Sequence, residues 1–141
     1  MNTASGMRFV SVDDVETQNF PWGKLAWLSE PRVTGTDNMT AGVVTLEPGK
    51  GHDRHNHAGC EELLYVLEGM GDQTIEDGGE IIKRRVKPGD LIHIPPGGYH
   101  STINAGATPM VLFAVYQYPG PEAFLRSLPE CVIEPAKNRA C

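Results

Sequence analysis

The chain has 141 residues, 40% of them hydrophobic and 21% charged, a composition that fits one globular domain with a single core and leaves no room for two. Its net charge of −6 repels phosphate backbones and anionic bilayers, so no nucleic acid and no membrane partner is expected, and a small organic ligand fits better. The apolar run at 110–116 is about a third of the length needed to cross a bilayer.

In chain order, the opening MNTASGMRFVSVDD lacks the basic start and apolar segment of a signal peptide, so export by that route is not expected. Residues 1–7 read as a flexible tail. Beyond them, Gly and Pro recur at short intervals between runs rich in Val, Ile, Leu, Thr and Tyr, the pattern of many short strands. Strands are predicted at 8–12, 24–28, 39–46, 62–67, 71–76, 81–86, 91–94, 101–104 and 110–117. Turn signals at Glu47-Pro48-Gly49, Asp77-Gly78-Gly79, Lys87-Pro88-Gly89 and Pro95-Pro96-Gly97-Gly98 separate several of them. One short C-terminal helix is predicted from Pro121 to about Leu128, with Pro129 as its stop. Residues 134–141 read as a second flexible tail, leaving 8–133 as a single domain. Many strands and one helix indicate an all-β sandwich or barrel built from antiparallel hairpins. Cys60, Cys131 and Cys141 are odd in number and form no CxxC pair, which favours reduced thiols and a cytoplasmic location.

Four potential metal ligands sit in two stretches: His55, His57 and Glu62 within 49–69, and His100 within 89–104. Three neutral imidazoles and one carboxylate suit one divalent transition metal per chain, Fe, Mn or Ni before Zn or Co. In a strand, residues two apart face the same side, so the His-x-His spacing aims both imidazoles at one point. Glu62 must then arrive from a neighbouring strand and His100 from a distant hairpin. With Glu62 inward, alternation turns Leu64 and Val66 inward too, as an apolar pocket wall, and sends Leu63, Tyr65 and Leu67 outward.

The two stretches resemble the signature motifs of the cupin superfamily, G-x5-H-x-H-x(3,4)-E-x6-G and G-x5-P-x-G-x2-H-x3-N. Gly49, His55, His57, Glu62 and Gly69 fill the first, and Gly89, Pro95, Gly97, His100 and Asn104 the second. Glu61 also satisfies the variable gap, but only Glu62 leaves six residues before Gly69. The resemblance implies a cupin, or double-stranded β-helix, jelly-roll barrel of the small single-domain kind, with the four ligands at its mouth. A divalent metal held by one carboxylate keeps about one positive charge and favours an anionic oxygen donor as substrate. The expected function is a metal-dependent small-molecule enzyme, a dioxygenase-type oxidoreductase acting on a small oxygen-rich acid or enol. A metal-dependent isomerase, decarboxylase or polyketide cyclase, or a non-catalytic ligand-binding sensor, is the alternative. Some cupin lyases carry a catalytic Tyr two residues beyond the ligand Glu, where this chain has Leu64, and that counts against a lyase.

His52 and Tyr99 are candidate catalytic residues for moving a proton; their ordinary readings are a solvated loop histidine and a rim aromatic. His93 reads as structural packing, and Cys60 has no role in the motif. The basic run Lys83, Arg84, Arg85 and Lys87 reads as cross-strand charge pairing with Glu76, Asp77 and Glu80. Phe20, Trp22 and Trp27 read as core or dimer-interface aromatics, and a homodimer is expected.

Overall fold

The computed structural model describes residues 6–138. In chain order the strands are β1 (Thr17–Phe20), β2 (Gly23–Ser29), β3 (Met39–Leu46), β4 (Gly51–His55), β5 (Glu62–Glu68), β6 (Gly71–Asp77), β7 (Glu80–Val86), β8 (Leu91–Ile94), β9 (His100–Asn104), β10 (Met110–Gln117) and β11 (Val132–Glu134), with one helix α1 (Pro121–Ser127) before the last. They form an antiparallel seven-stranded sheet, β11-β1-β2-β3-β10-β5-β8, and a four-stranded sheet, β4-β9-β6-β7. The fold is all-β, of the jelly-roll type, as expected.

Strict alternation explains why these segments pair with one face inward. β10 alternates buried and half-buried residues along its whole length, and β3 does the same after an exposed Met39. Their register builds the interior in rows across the large sheet. Leu25, Val44, Leu112 and Val66 make one row, and Trp27, Gly42, Ala114, Leu64 and Ile92 the next. Each fully buried Leu or Ile contributes roughly 1.5–3 kcal/mol relative to exposure. Gly42 is required where Trp27 crosses it: a Cβ there would lie 2.8 Å from the Ala26 carbonyl and 3.3 Å from the indole ring. One row further, Thr40, Tyr116 and Glu62 pair across the same strands. At that row the interior turns polar, and the candidate site begins.

The expected strand at 8–12 does not form. Val12–Asp14 is a 3-10 turn, because the Ser11 amide and hydroxyl both donate to the Asp14 carboxylate, at 2.8 and 3.0 Å, an alternative to pairing in a sheet. Three strands went unpredicted. β4 reads Gly-His-Asp-Arg-His and β11 is exposed throughout, so neither shows an apolar face. β1 is only four residues long. Of the tails expected at 1–7 and 134–141, residues 1–5 and 139–141 lie outside the described residues, while Glu134 pairs with Thr17. No helix among the described residues is long and apolar enough to cross a membrane.

Candidate metal centre

β4 and β9 carry the histidines. His52 pairs with Thr102 and His55 with His100, so three residue steps on β4 span two on β9. That extra residue is a bulge. Without it, residues three apart would face opposite sides; with it, His52 and His55 both join the inward Thr102 and His100. β4 ends at His55, so His57 lies beyond the strand, and the expected strand alternation does not explain its direction. The loop backbone does: the His57 carbonyl accepts from Cys60 N at 3.2 Å and from Gly97 N at 3.1 Å. Gly97 makes this contact from a turn with φ of +74°, a conformation that glycine adopts without penalty.

The imidazoles are oriented from outside. His55 Nδ1 lies 2.7 Å from the Asp53 carbonyl and His100 Nδ1 2.9 Å from the Gly98 carbonyl. A carbonyl only accepts, so each Nδ1 carries the hydrogen and each Nε2 lone pair is free to face inward. One nitrogen from each of His55, His57 and His100 lies within 4.8 Å of the others, a group that could hold a metal ion. Glu62 is not in that mutual set. Its Oε1 reaches across from β5, 3.2 Å from His100 Nε2 and 3.6 Å from His57 Nε2. Glu61 instead faces outward and pairs with His93, which is half exposed and not packed in the core.

The chemistry of the donors tests whether a metal fits. His57 Nε2, His100 Nε2 and Glu62 Oε1 are buried facing one another without an aligned hydrogen bond, and a bound cation would satisfy all three. Burial pushes His55 and His57 below the ordinary imidazole range; the Asp53 carbonyl offsets part of this at His55 and the Glu62 carboxylate part of it at His57. Burial also opposes charge on His100, but the Glu62 carboxylate outweighs it and raises that group. Neutral imidazoles beside one carboxylate are what a borderline divalent ion requires. The residues fit.

His52 stands beside the group, its ring edge-on to Trp22 at 4.3 Å and to His55 at 5.6 Å. Burial pushes it down to about 3, with repulsion from His55 adding, and its Nε2 is also unpartnered. Leu64 lines a space of about 10 Å³ beneath the histidines, and Val66 lies deeper in the core. Tyr99 faces away, with the Arg54 guanidinium 3.9 Å from its ring centroid.

A cavity of about 690 Å³ opens over His55 and His57. Its wall includes Trp22, Tyr116, Tyr118, Phe124 and Leu125, none of which the sequence pattern marked as site residues. Trp22 is fixed by stacking on Phe20 at 4.7 Å, whereas Trp27 packs in the core against Tyr116. Tyr116 is buried with its hydroxyl against Glu62, and burial followed by that carboxylate raises it far above the ordinary phenol range. Strand pairing opposite Glu62 could have pointed to Tyr116. The loop and helix residues carried no periodic signal.

Comparison with known proteins follows the same residues. Residues 42–116 match the family described as Cupin domain. A glucose-6-phosphate isomerase of Thermococcus gammatolerans is 39% identical over 70 residues, 48% of this chain and 35% of that protein. Germin-like protein 1 of Brassica napus is 32% identical over 92 residues, 64% of this chain and 44% of that protein. The chain therefore matches less than half the length of these curated relatives. Among solved structures, a mutant of Bacillus subtilis oxalate decarboxylase superposes with a TM-score of 0.71 at 24% identity, covering 82% of this chain and 30% of that one. KdgF from Halomonas sp. superposes with a TM-score of 0.70 at 19% identity, covering 83% of this chain and 98% of that one. Both structural likenesses speak to the fold alone.

Proposed function

Since the chain belongs to the cupin family, we propose that it is a metal-dependent small-molecule enzyme, a dioxygenase-type oxidoreductase acting on an oxygen-rich acid or enol. The observation that carries this reading is the group of inward ring nitrogens of His55, His57 and His100, which opens onto a cavity at His55 and His57. His55, His57, His100 and Glu62 would hold one divalent ion, with Fe, Mn or Ni favoured. When bound, the ion supplies Lewis-acid polarisation of substrate oxygen and, if redox-active, electron transfer.

The chain's own groups do the rest. Glu62 offsets part of the cation's charge, and the Tyr116 hydroxyl orients that carboxylate. Neutral His52, at the edge of the group, stays uncharged and offers Nε2 as a hydrogen-bond acceptor rather than as a base. A substrate lying against Trp22 and Phe124 would displace water from the reacting end. Isomerisation is the second reading, favoured by the similarity to the Thermococcus glucose-6-phosphate isomerase. The free thiols of Cys60 and Cys131 support a reducing, cytoplasmic setting, and a homodimer is part of the same proposal.

The test is aerobic turnover by protein loaded with Fe(II), Mn(II) or Ni(II) on a panel of enols and hydroxy acids. Oxygen uptake that depends on both substrate and metal is expected. Product formed without oxygen uptake would move the assignment to isomerisation or decarboxylation; metal-dependent binding with no turnover on any compound would overturn the enzyme reading. Elemental analysis provides the prior check, since a folded His57→Ala variant with wild-type metal content would sink the site assignment.

A further inference from the structure

The walls of the cavity are poor in the groups that recognise anions. No Lys or Arg lines it among the described residues, and its one carboxylate, Asp53, repels negative charge. Two cations adjoining the lining residues in sequence are engaged elsewhere. Lys50 Nζ donates to the Pro21 carbonyl at 3.2 Å, and Arg54 is paired with Glu76 while its guanidinium covers Tyr99. Three polar side chains at the wall already hold protein partners. Cys60 Sγ donates to the Gln117 carbonyl, the Gln117 side-chain oxygen accepts from Glu61 N, and the Asn56 amide donates to the Gly97 carbonyl.

The apolar groups, by contrast, are unspent. Phe124 is 64% exposed and Tyr118 50% exposed, both on the segment that closes one side of the mouth. Trp22 faces them as a rigid plate, held by Phe20 on one side and His52 on another. A volume of about 690 Å³ lies within the ~300–1,000 Å³ that encloses drug-sized ligands; a two-carbon acid would leave most of it filled with water. A sugar phosphate would bring a phosphate charge that no lysine or arginine of the wall meets, and leaving it unpaired is costly.

We propose that the mouth takes an uncharged molecule with two adjacent oxygen donors at one end and a ring or branched apolar body at the other. The oxygen end reaches the histidine group, and the body lies between Trp22 and the Tyr118–Phe124 side of the cavity. This rests on the reading of the histidine group as a metal site and narrows the substrate class from acids to neutral enols and phenols.

The experiment is anaerobic titration calorimetry on nickel-loaded and metal-free protein with three compounds that share one chelating head: catechol, 4-tert-butylcatechol and 3,4-dihydroxybenzoate. With nickel, 4-tert-butylcatechol is expected to bind about tenfold tighter than catechol, from burial of its apolar group, and 3,4-dihydroxybenzoate more weakly than catechol. Phe124→Ala, at an exposed position that the core does not need, should shrink the butyl advantage severalfold. Nickel-dependent binding with equal affinities, or with the carboxylate compound tightest, overturns this inference and leaves the metal reading standing. Binding of all three that is indifferent to nickel overturns the metal reading and, with it, the oxygen end proposed here.

Discussion

Glu62 is 3% exposed, and one residue on the neighbouring strand is answerable for its position. Tyr116, paired with it across β10, places a hydroxyl against the carboxylate in a dry setting. Tyr116→Phe keeps the ring that packs on Trp27 and removes only that hydroxyl. Metal affinity should fall roughly tenfold or more, read by competition against a coloured chelator, while the unfolding midpoint of the metal-free protein changes little. Asn104 does different work. Its amide donates to the carbonyls of Leu46 and Thr108, both at 2.9 Å, and its side-chain oxygen accepts from Gly106 N at 2.8 Å. Asn104→Ala should therefore cost about 2–4 kcal/mol in urea unfolding, because buried backbone groups lose their partners. At this scale Glu62 was legible, since spacing to Gly69 separated it from Glu61. Trp22 packs against the core, as expected, but it also lines the mouth, and nothing in its local sequence says that β1 and β2 turn it there.

The bulge in β4 and the turn between β8 and β9 set the site at the level of elements. Strand periodicity located β3, β5 and β10 closely, since their inward rows are apolar and repeat every second residue. It failed on β4, whose inward residues are histidines, and so it could not reveal the bulge. Deleting Asp53 removes the extra residue and leaves His52 and His55 two apart, still on one face of a regular strand, but it takes away the carbonyl that holds His55 Nδ1. Such a variant should keep its β-sheet circular dichroism and a stoichiometric metal site, with weaker affinity. The turn acts twice: Gly97 N holds the His57 carbonyl and the Gly98 carbonyl holds His100 Nδ1. Gly97→Ala puts a side chain at φ of +74°, where about 1 kcal/mol of strain is expected. The measurement is metal dissociation rate, which should rise in step with that strain.

Over the whole molecule, the donors come from both sheets, His55 and His100 from the small one and Glu62 from the large one. A bound ion would tie the sheets together. At a free metal concentration 100 times Kd, binding adds about 2.7 kcal/mol, so chelation should lower Tm by roughly 5–10 °C. Unchanged melting after complete metal removal would contradict that. The outer face of the large sheet carries Leu63, Tyr65 and Leu91, all exposed, with Phe113 and Val115 in register beside them. This apolar surface supports the proposed homodimer, and light scattering should give twice the mass of one chain. At the edge of the small sheet, β7 exposes Lys83, Arg84 and Arg85, which discourage further strand addition there. The cavity wall adds a property of another kind. Tyr118, Phe124 and Leu125 follow β10 on a separate stretch of chain, after the last residue of either ligand motif. Ligand preference and donor geometry can therefore mutate independently, and exchanging residues 118–125 between relatives would be a route to altered selectivity on an intact reaction centre.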